Sequence, residues 1–174
     1  MWLIISSATI LLILIGVPVI GNLVMDSRPK RGDCLEAKGR GGDTGDVRDF
    51  SIVSCGAPTA AYKVAKAGHS IDCNYPYVEM SDSPRYFRNS SRWCLALNAK
   101  VGDCFYQEVG FPTGKATKVV CGSSASYRVT AVVPGRADHA VCGPNVDPLN
   151  RYVFANPLAL AYSSPALTIC TVGA

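Results

Sequence analysis

Gly32-Asp33-Cys34-Leu35 returns 70 positions later as Gly102-Asp103-Cys104-Phe105, and this recurrence decides how the chain is read. Working outward, Val53-Ser54-Cys55-Gly56 answers to Val119-Val120-Cys121-Gly122, and Ala61-Tyr62-Lys63-Val64 to Ser126-Tyr127-Arg128-Val129. His69 stands four residues before Cys73 and His139 three before Cys142, while Trp93-Cys94-Leu95 corresponds loosely to Ile169-Cys170-Thr171. Each half therefore carries four cysteines in one order, with Tyr and a cation between the second and third. Self-similarity at a fixed spacing signals repeated structural units. The chain reads as two homologous modules, residues 30–99 and 100–174, after a leader (1–25) and a linker (26–29).

Local pattern supplies the elements. Phe50 to Cys55 and Tyr62 to Lys66 read as strands, separated by a Gly56-Ala57-Pro58 turn. Lys118 to Cys121 and Tyr127 to Val133 repeat them, and Trp93 to Leu97 and Leu167 to Val172 read as closing strands. Between the third and fourth cysteines the pattern predicts short helical turns, at Tyr86-Phe87-Arg88 and over Leu158 to Tyr162. Residues 30–99 and 100–174 are thus small antiparallel β modules with α insertions. The expected class is α+β, mainly β: an N-terminal transmembrane helix, then two homologous small disulfide-stapled antiparallel β modules.

Composition separates the leader from the body. From Trp2 to Met25 no residue is charged, so all 17 Lys/Arg and 13 Asp/Glu lie beyond it, as do all eight cysteines. A 24-residue helix reaches about 36 Å, enough for a hydrocarbon core of about 30 Å. It lacks the polar face of a soluble helix, and interior Pro18 would kink it. A retained membrane anchor is favoured over a cleaved signal, because the positive n-region is missing, although Val19-Ile20-Gly21 offers small residues for cleavage. Lys/Arg flank only the C-terminal side, which by positive-inside counting places the body in the cytoplasm. Eight cysteines place it in an oxidising space outside, and that argument is given the greater weight. Arg28, Lys30, Arg31, Lys38 and Arg40 form a basic stretch that reads as a solvated linker, with anionic headgroups as the rival partner. A net charge of +4 gives no case for nucleic acid, which demands clustered cations.

Four cysteines per module permit three pairings, and sequence cannot choose among them. Proximity favours Cys34 with Cys55, Cys73 with Cys94, Cys104 with Cys121, and Cys142 with Cys170. Each bridge closes a loop of about 20 residues and restricts the unfolded chain by about 3 kcal/mol. A module of about 70 residues buries little core and gains from such staples. Metal binding by cysteine with His69 or His139 is the rival reading, but no Cys-x-x-Cys occurs. No metal, cofactor or catalytic residue is assigned.

Several motifs imitate chemistry. Asp43-Thr44-Gly45 matches the aspartic-protease tripeptide, yet that reaction needs two carboxylates in apolar loops and the second module has no counterpart. Asp43, Asp46 and Asp49 fit no calcium-loop spacing. Arg31-Gly32-Asp33 is the integrin tripeptide, but the repeat shares only Gly-Asp-Cys, so a turn that aims the cysteine is expected. Asn89-Ser90-Ser91 matches a glycosylation acceptor. His69 and His139 stand at equivalent places without a recurring Ser or Asp to complete a triad. Tyr62/Lys63 and Tyr127/Arg128 read as strand alternation rather than an aromatic-basic surface strip.

Gly-Asp-Cys opening a module, Val-x-Cys-Gly about 20 residues on, and a Tyr-Lys/Arg-Val strand together resemble the Cys-rich extracytoplasmic domains of actinobacterial LppU-like envelope proteins, and related modules connected with septum formation. The resemblance spans Gly32 to Cys170. It implies a small, exported or membrane-tethered, disulfide-bearing protein with no catalytic residues. This chain lacks the lipid-attachment cysteine after the leader.

The function expected is a non-catalytic, membrane-anchored envelope protein whose modules bind a protein or wall component outside the cytoplasm. Tandem weak binders gain avidity without new chemistry. The alternatives are an envelope hydrolase using Asp43 or a histidine, and a redox or metal-handling protein using the Cys/His residues.

Overall fold

Each Gly-Asp-Cys closes a turn that launches a sheet. In the computed structural model, which describes residues 28–38, 50–82, 90–108, 115–144 and 158–174, the Lys30 amide donates to the Asp33 carboxylate at 2.7 Å and the Asp33 amide to the Lys30 carbonyl at 3.0 Å. The second copy repeats this from Lys100 to Asp103 at 2.8 and 3.0 Å. Gly32 and Gly102 take φ of 95° and 92°, the left-handed value that a turn of this kind needs at its third position. Gly32 and Gly102 then donate to the carbonyls of Val64 and Val129, both at 2.9 Å, knitting each turn to the third strand of its sheet. Asp33 therefore serves the turn, as the repeat comparison of Arg31-Gly32-Asp33 suggested.

Ten strands follow: β1 (Cys34–Ala37), β2 (Phe50–Val53), β3 (Tyr62–His69), β4 (Val78–Ser81), β5 (Ser91–Leu97), β6 (Cys104–Gln107), β7 (Ala116–Val119), β8 (Tyr127–Pro134), β9 (Leu158–Ser163) and β10 (Ala166–Gly173). They form two five-stranded antiparallel sheets, ordered β2-β1-β3-β5-β4 and β7-β6-β8-β10-β9. The second order is the first moved on by one module. Even the irregularity repeats. Leu95 and Cys94 pair with Val64 and Lys66, bulging Ala65, while Thr171 and Cys170 pair with Val129 and Ala131, bulging Thr130. One extra residue at the same place in both sheets bends the third strand identically.

Two expectations change. Leu158 to Tyr162 is no helical turn but most of β9, paired with β10 from Ala166 opposite Ser163 to Thr171 opposite Leu158. Leu and Ala favour helix by propensity, yet burial of Leu160 and Tyr162 and a full ladder outweigh a preference of tenths of a kcal/mol per residue. Val78 to Ser81, between the third and fourth cysteines where no strand was expected, is β4. Among the described residues the α component shrinks to a single 3-10 turn, His139–Cys142, capped by Asp138. The leader, the Asp43-Thr44-Gly45 loop with Asp46 and Asp49, Arg40, Tyr86 to Arg88, and Asn89 lie outside the described residues. Within those residues no helix is long and apolar enough to cross a membrane.

The bridges join Cys34 to Cys55, Cys73 to Cys94, Cys104 to Cys121 and Cys142 to Cys170, with Cα separations of 5.0, 5.2, 5.2 and 5.4 Å. These are the pairs that proximity favoured. The first of each module closes the hairpin of its first two strands. The second pins the crossover behind the third strand, or its 3-10 turn, onto β5 or β10.

The sheets share one core. Leu35, Tyr62, Val64, Trp93 and Leu95 from the first meet Phe105, Tyr127, Val129, Leu160 and Ile169 from the second in a single cluster. Polar bonds cross the same seam. The Ala116 amide donates to the Tyr62 hydroxyl and the Leu97 amide to the Tyr162 hydroxyl at 3.3 Å. The Tyr77 hydroxyl accepts from the Ser164 amide at 2.7 Å and donates to its carbonyl at 3.0 Å, and its ring meets Tyr162 edge-on at 5.1 Å. A small module cannot bury a sheet face alone, so each covers the other.

Candidate functional site

Residues 98–103 carry the chain from β5 to β6, and the walls on either side leave an open cleft of about 420 Å³. One wall is the loop of residues 55–59. The other combines Lys100, Gly102, Asp103 and Cys104 with residues 118–121. Both walls end on bridges, Cys34–Cys55 and Cys104–Cys121.

Local bonding stiffens both walls. In the first, Asn98 Nδ2 donates to the carbonyls of Cys55 and Ala60, both at 3.0 Å, and the Thr59 hydroxyl donates to Glu36 Oε2 at 2.6 Å. In the second, Lys118 Nζ lies 2.8 Å from Asp103 Oδ2, with the two side chains only 13% and 26% exposed. The same ammonium sits 5.9 Å above the Phe105 ring. Asp103 Oδ2 thus holds both its turn and a lysine. Around this rigid frame the rim is apolar: Val120 is 88% exposed and Val101, between two lining residues, 66%. Lys100 adds an exposed cation. The combination of stiff walls, apolar rim and few charges suits recognition of a partner surface.

The residues singled out from sequence go elsewhere. All eight cysteines are bridged. His69 ends β3 and is exposed, and its register counterpart in β8 is Pro134 rather than His139. His139 lies beyond β8 in the 3-10 turn, its Nε2 buried without a hydrogen-bond partner. Similar spacing to a cysteine, four residues in one module and three in the other, did not mean equal position, so the two histidines are not equivalent, and neither lines the cleft. Among the described residues no three His, Cys, Asp or Glu side chains gather as a metal site would require. Tyr62 and Tyr127 are buried and Lys63 and Arg128 exposed, which is strand alternation.

Burial governs the ionisation of the seam. It pushes the hydroxyls of Tyr62, Tyr127 and Tyr162 well above the ordinary value of 10.0. The amides of Ala116 and Leu97 partly offset this for Tyr62 and Tyr162. These phenols are neutral structural groups. The cavity beside them, lined by Tyr62, Gln107, Tyr127 and Tyr162, measures about 10 Å³, space for a water and not for a ligand.

Sequence reasoning missed the cleft because its walls come from both modules. The Asn98 clamp and the Lys118–Asp103 pair had no local signature. Comparison with protein-family models, curated proteins and solved structures finds no match.

Proposed function

We propose that this is a membrane-tethered extracytoplasmic protein that binds an envelope protein or wall component without catalysing a reaction, and that its partner docks in the cleft between the modules. The cleft carries the reading: two disulfide-braced walls, one from each module, flank it, and the second carries exposed Val120, with exposed Val101 between its lining residues Lys100 and Gly102. Preformed walls reduce the ordering cost of association. Four bridges support an oxidising compartment. The uncharged run from Trp2 to Met25 supports the tether, and the LppU-like motifs agree with both. The shared core replaces avidity between independent modules by a single composite site.

A photo-crosslinking residue at Val120 tests this in the native membrane. The reading expects a discrete adduct from position 120 that Val101→Glu abolishes, and none from the same probe at exposed Lys63. No adduct at 120, or equal labelling from both positions, contradicts it.

A further inference from the structure

The stretch after the leader is built into the body. Pro29 is buried and its carbonyl accepts Trp93 Nε1 at 2.6 Å. Lys30 to Asp33 close the first turn, and Gly32 is tied to Val64. Hence Pro29 to Asp33 are tied to the first sheet, in contrast to the solvated linker that the basic composition suggests.

Between Met25, the last residue of the uncharged run, and Pro29 lie only Asp26, Ser27 and Arg28. Four residue steps at full extension span at most about 14 Å. A headgroup layer occupies roughly 5–8 Å on each side of the hydrocarbon. Pro29 therefore sits no more than roughly 6–9 Å beyond the headgroup surface, within a Debye length of about 8–10 Å at cellular salt. The body cannot stand off from the membrane.

What it presents there is basic. Arg28, Lys30 and Arg31 are exposed. The acidic neighbours are partly committed: Asp33 accepts from the Lys30 amide, and Asp82 accepts from the Ser91 amide and lies 3.9 Å from Arg28, whose side chain remains 70% exposed. A pair that open is screened and weak. Resting on the membrane-tether reading above, we propose that Arg28, Lys30 and Arg31 form a docking face for anionic phospholipid headgroups, holding the first sheet's turn against the bilayer. Short reach brings the cations to the phosphates, and charge complementarity keeps them there.

The repeat provides an internal control. Lys100 occupies the same place in the second turn as Lys30 in the first, is also exposed, and does not follow the leader. The full chain is reconstituted in vesicles of phosphatidylcholine, alone or mixed with phosphatidylglycerol, and its lysines are acetylated and mapped. Lys30 is expected to react about fivefold more slowly on the anionic vesicles, the effect of one cation at a charged surface, while Lys100 keeps its rate. Raising salt to 1 M, where the Debye length falls to about 3 Å, removes the difference. Lys30 reacting equally on both vesicles, or Lys30 and Lys100 slowing together, overturns the docking face. Failure of the chain to float with phosphatidylcholine vesicles overturns the tether itself, a separate and visible outcome.

Discussion

Tyr62→Phe and Tyr127→Phe are the same chemical change at register-equivalent places, and they should differ in cost. The Tyr62 hydroxyl accepts the amide of Ala116, a residue 1% exposed on a strand of the other sheet. Removing that acceptor strands a buried N–H, at about 1–3 kcal/mol. The Tyr127 hydroxyl instead donates within its own sheet to Gln107 Oε1 at 3.4 Å, a long contact at the weak end of the hydrogen-bond range. That contact does not join the two sheets, so its loss should cost less than the loss at Tyr62. For a chain of this size each kcal/mol moves the melting temperature by about 2–4 °C. Tyr62→Phe should therefore melt roughly 2–12 °C lower than the parent, and Tyr127→Phe should fall by less. Urea titration under non-reducing conditions gives the free energies, and an unchanged m-value would show that the native and unfolded ensembles stay comparable. Equal costs, or a costlier Tyr127→Phe, would refute the claim that hydrogen bonds across the seam join the two sheets.

The buried tyrosines set an alkaline limit. Folding holds Tyr62, Tyr127 and Tyr162 neutral above 10.0, so stability is fully present below pH 10 and declines as pH rises through the range where the unfolded chain ionises and the folded one resists. Absorbance at the phenolate band should show these groups titrating late and together with loss of the fold; early, reversible titration of all tyrosines in the folded protein would contradict it. Reduction of all four bridges removes about 3 kcal/mol each, comparable in sum with the roughly 5–15 kcal/mol of a typical domain, so the reduced chain should be unfolded by circular dichroism in buffer where the oxidised chain is native. Gly102→Ala forces a Cβ into a left-handed turn and should cost about 1–2 kcal/mol in the same urea assay, although nothing crowds the new methyl. A neutral Gly102→Ala would mean that the turn is not built as described.

What sequence revealed was whatever chemistry was local. Gly-Asp-Cys identifies a turn because a positive-φ glycine and a carboxylate that caps a backbone amide act within four residues. The cysteine pairs were legible because each hairpin bridge joins neighbouring strands a few residues from the turn. β9 was hidden because its Leu-Ala alternation is as good a helix as a strand until β10 lies beside it. The histidines misled because distance along the chain to a cysteine carries no register. The shared core and the cleft depend on one sheet meeting the other, through contacts such as Tyr62 to Ala116 and Tyr77 to Ser164, and these have no periodicity to betray them.

Lys and Arg happen to place each of the eight cysteines on a different tryptic peptide. Non-reducing digestion of protein taken from its native membrane fraction should therefore yield four linked pairs, Cys34 with Cys55, Cys73 with Cys94, Cys104 with Cys121 and Cys142 with Cys170, and no free thiol. Reduced cysteines, or a bridge joining residues of different modules, would contradict the twice-built, sulfur-braced body and the extracytoplasmic placement proposed for it.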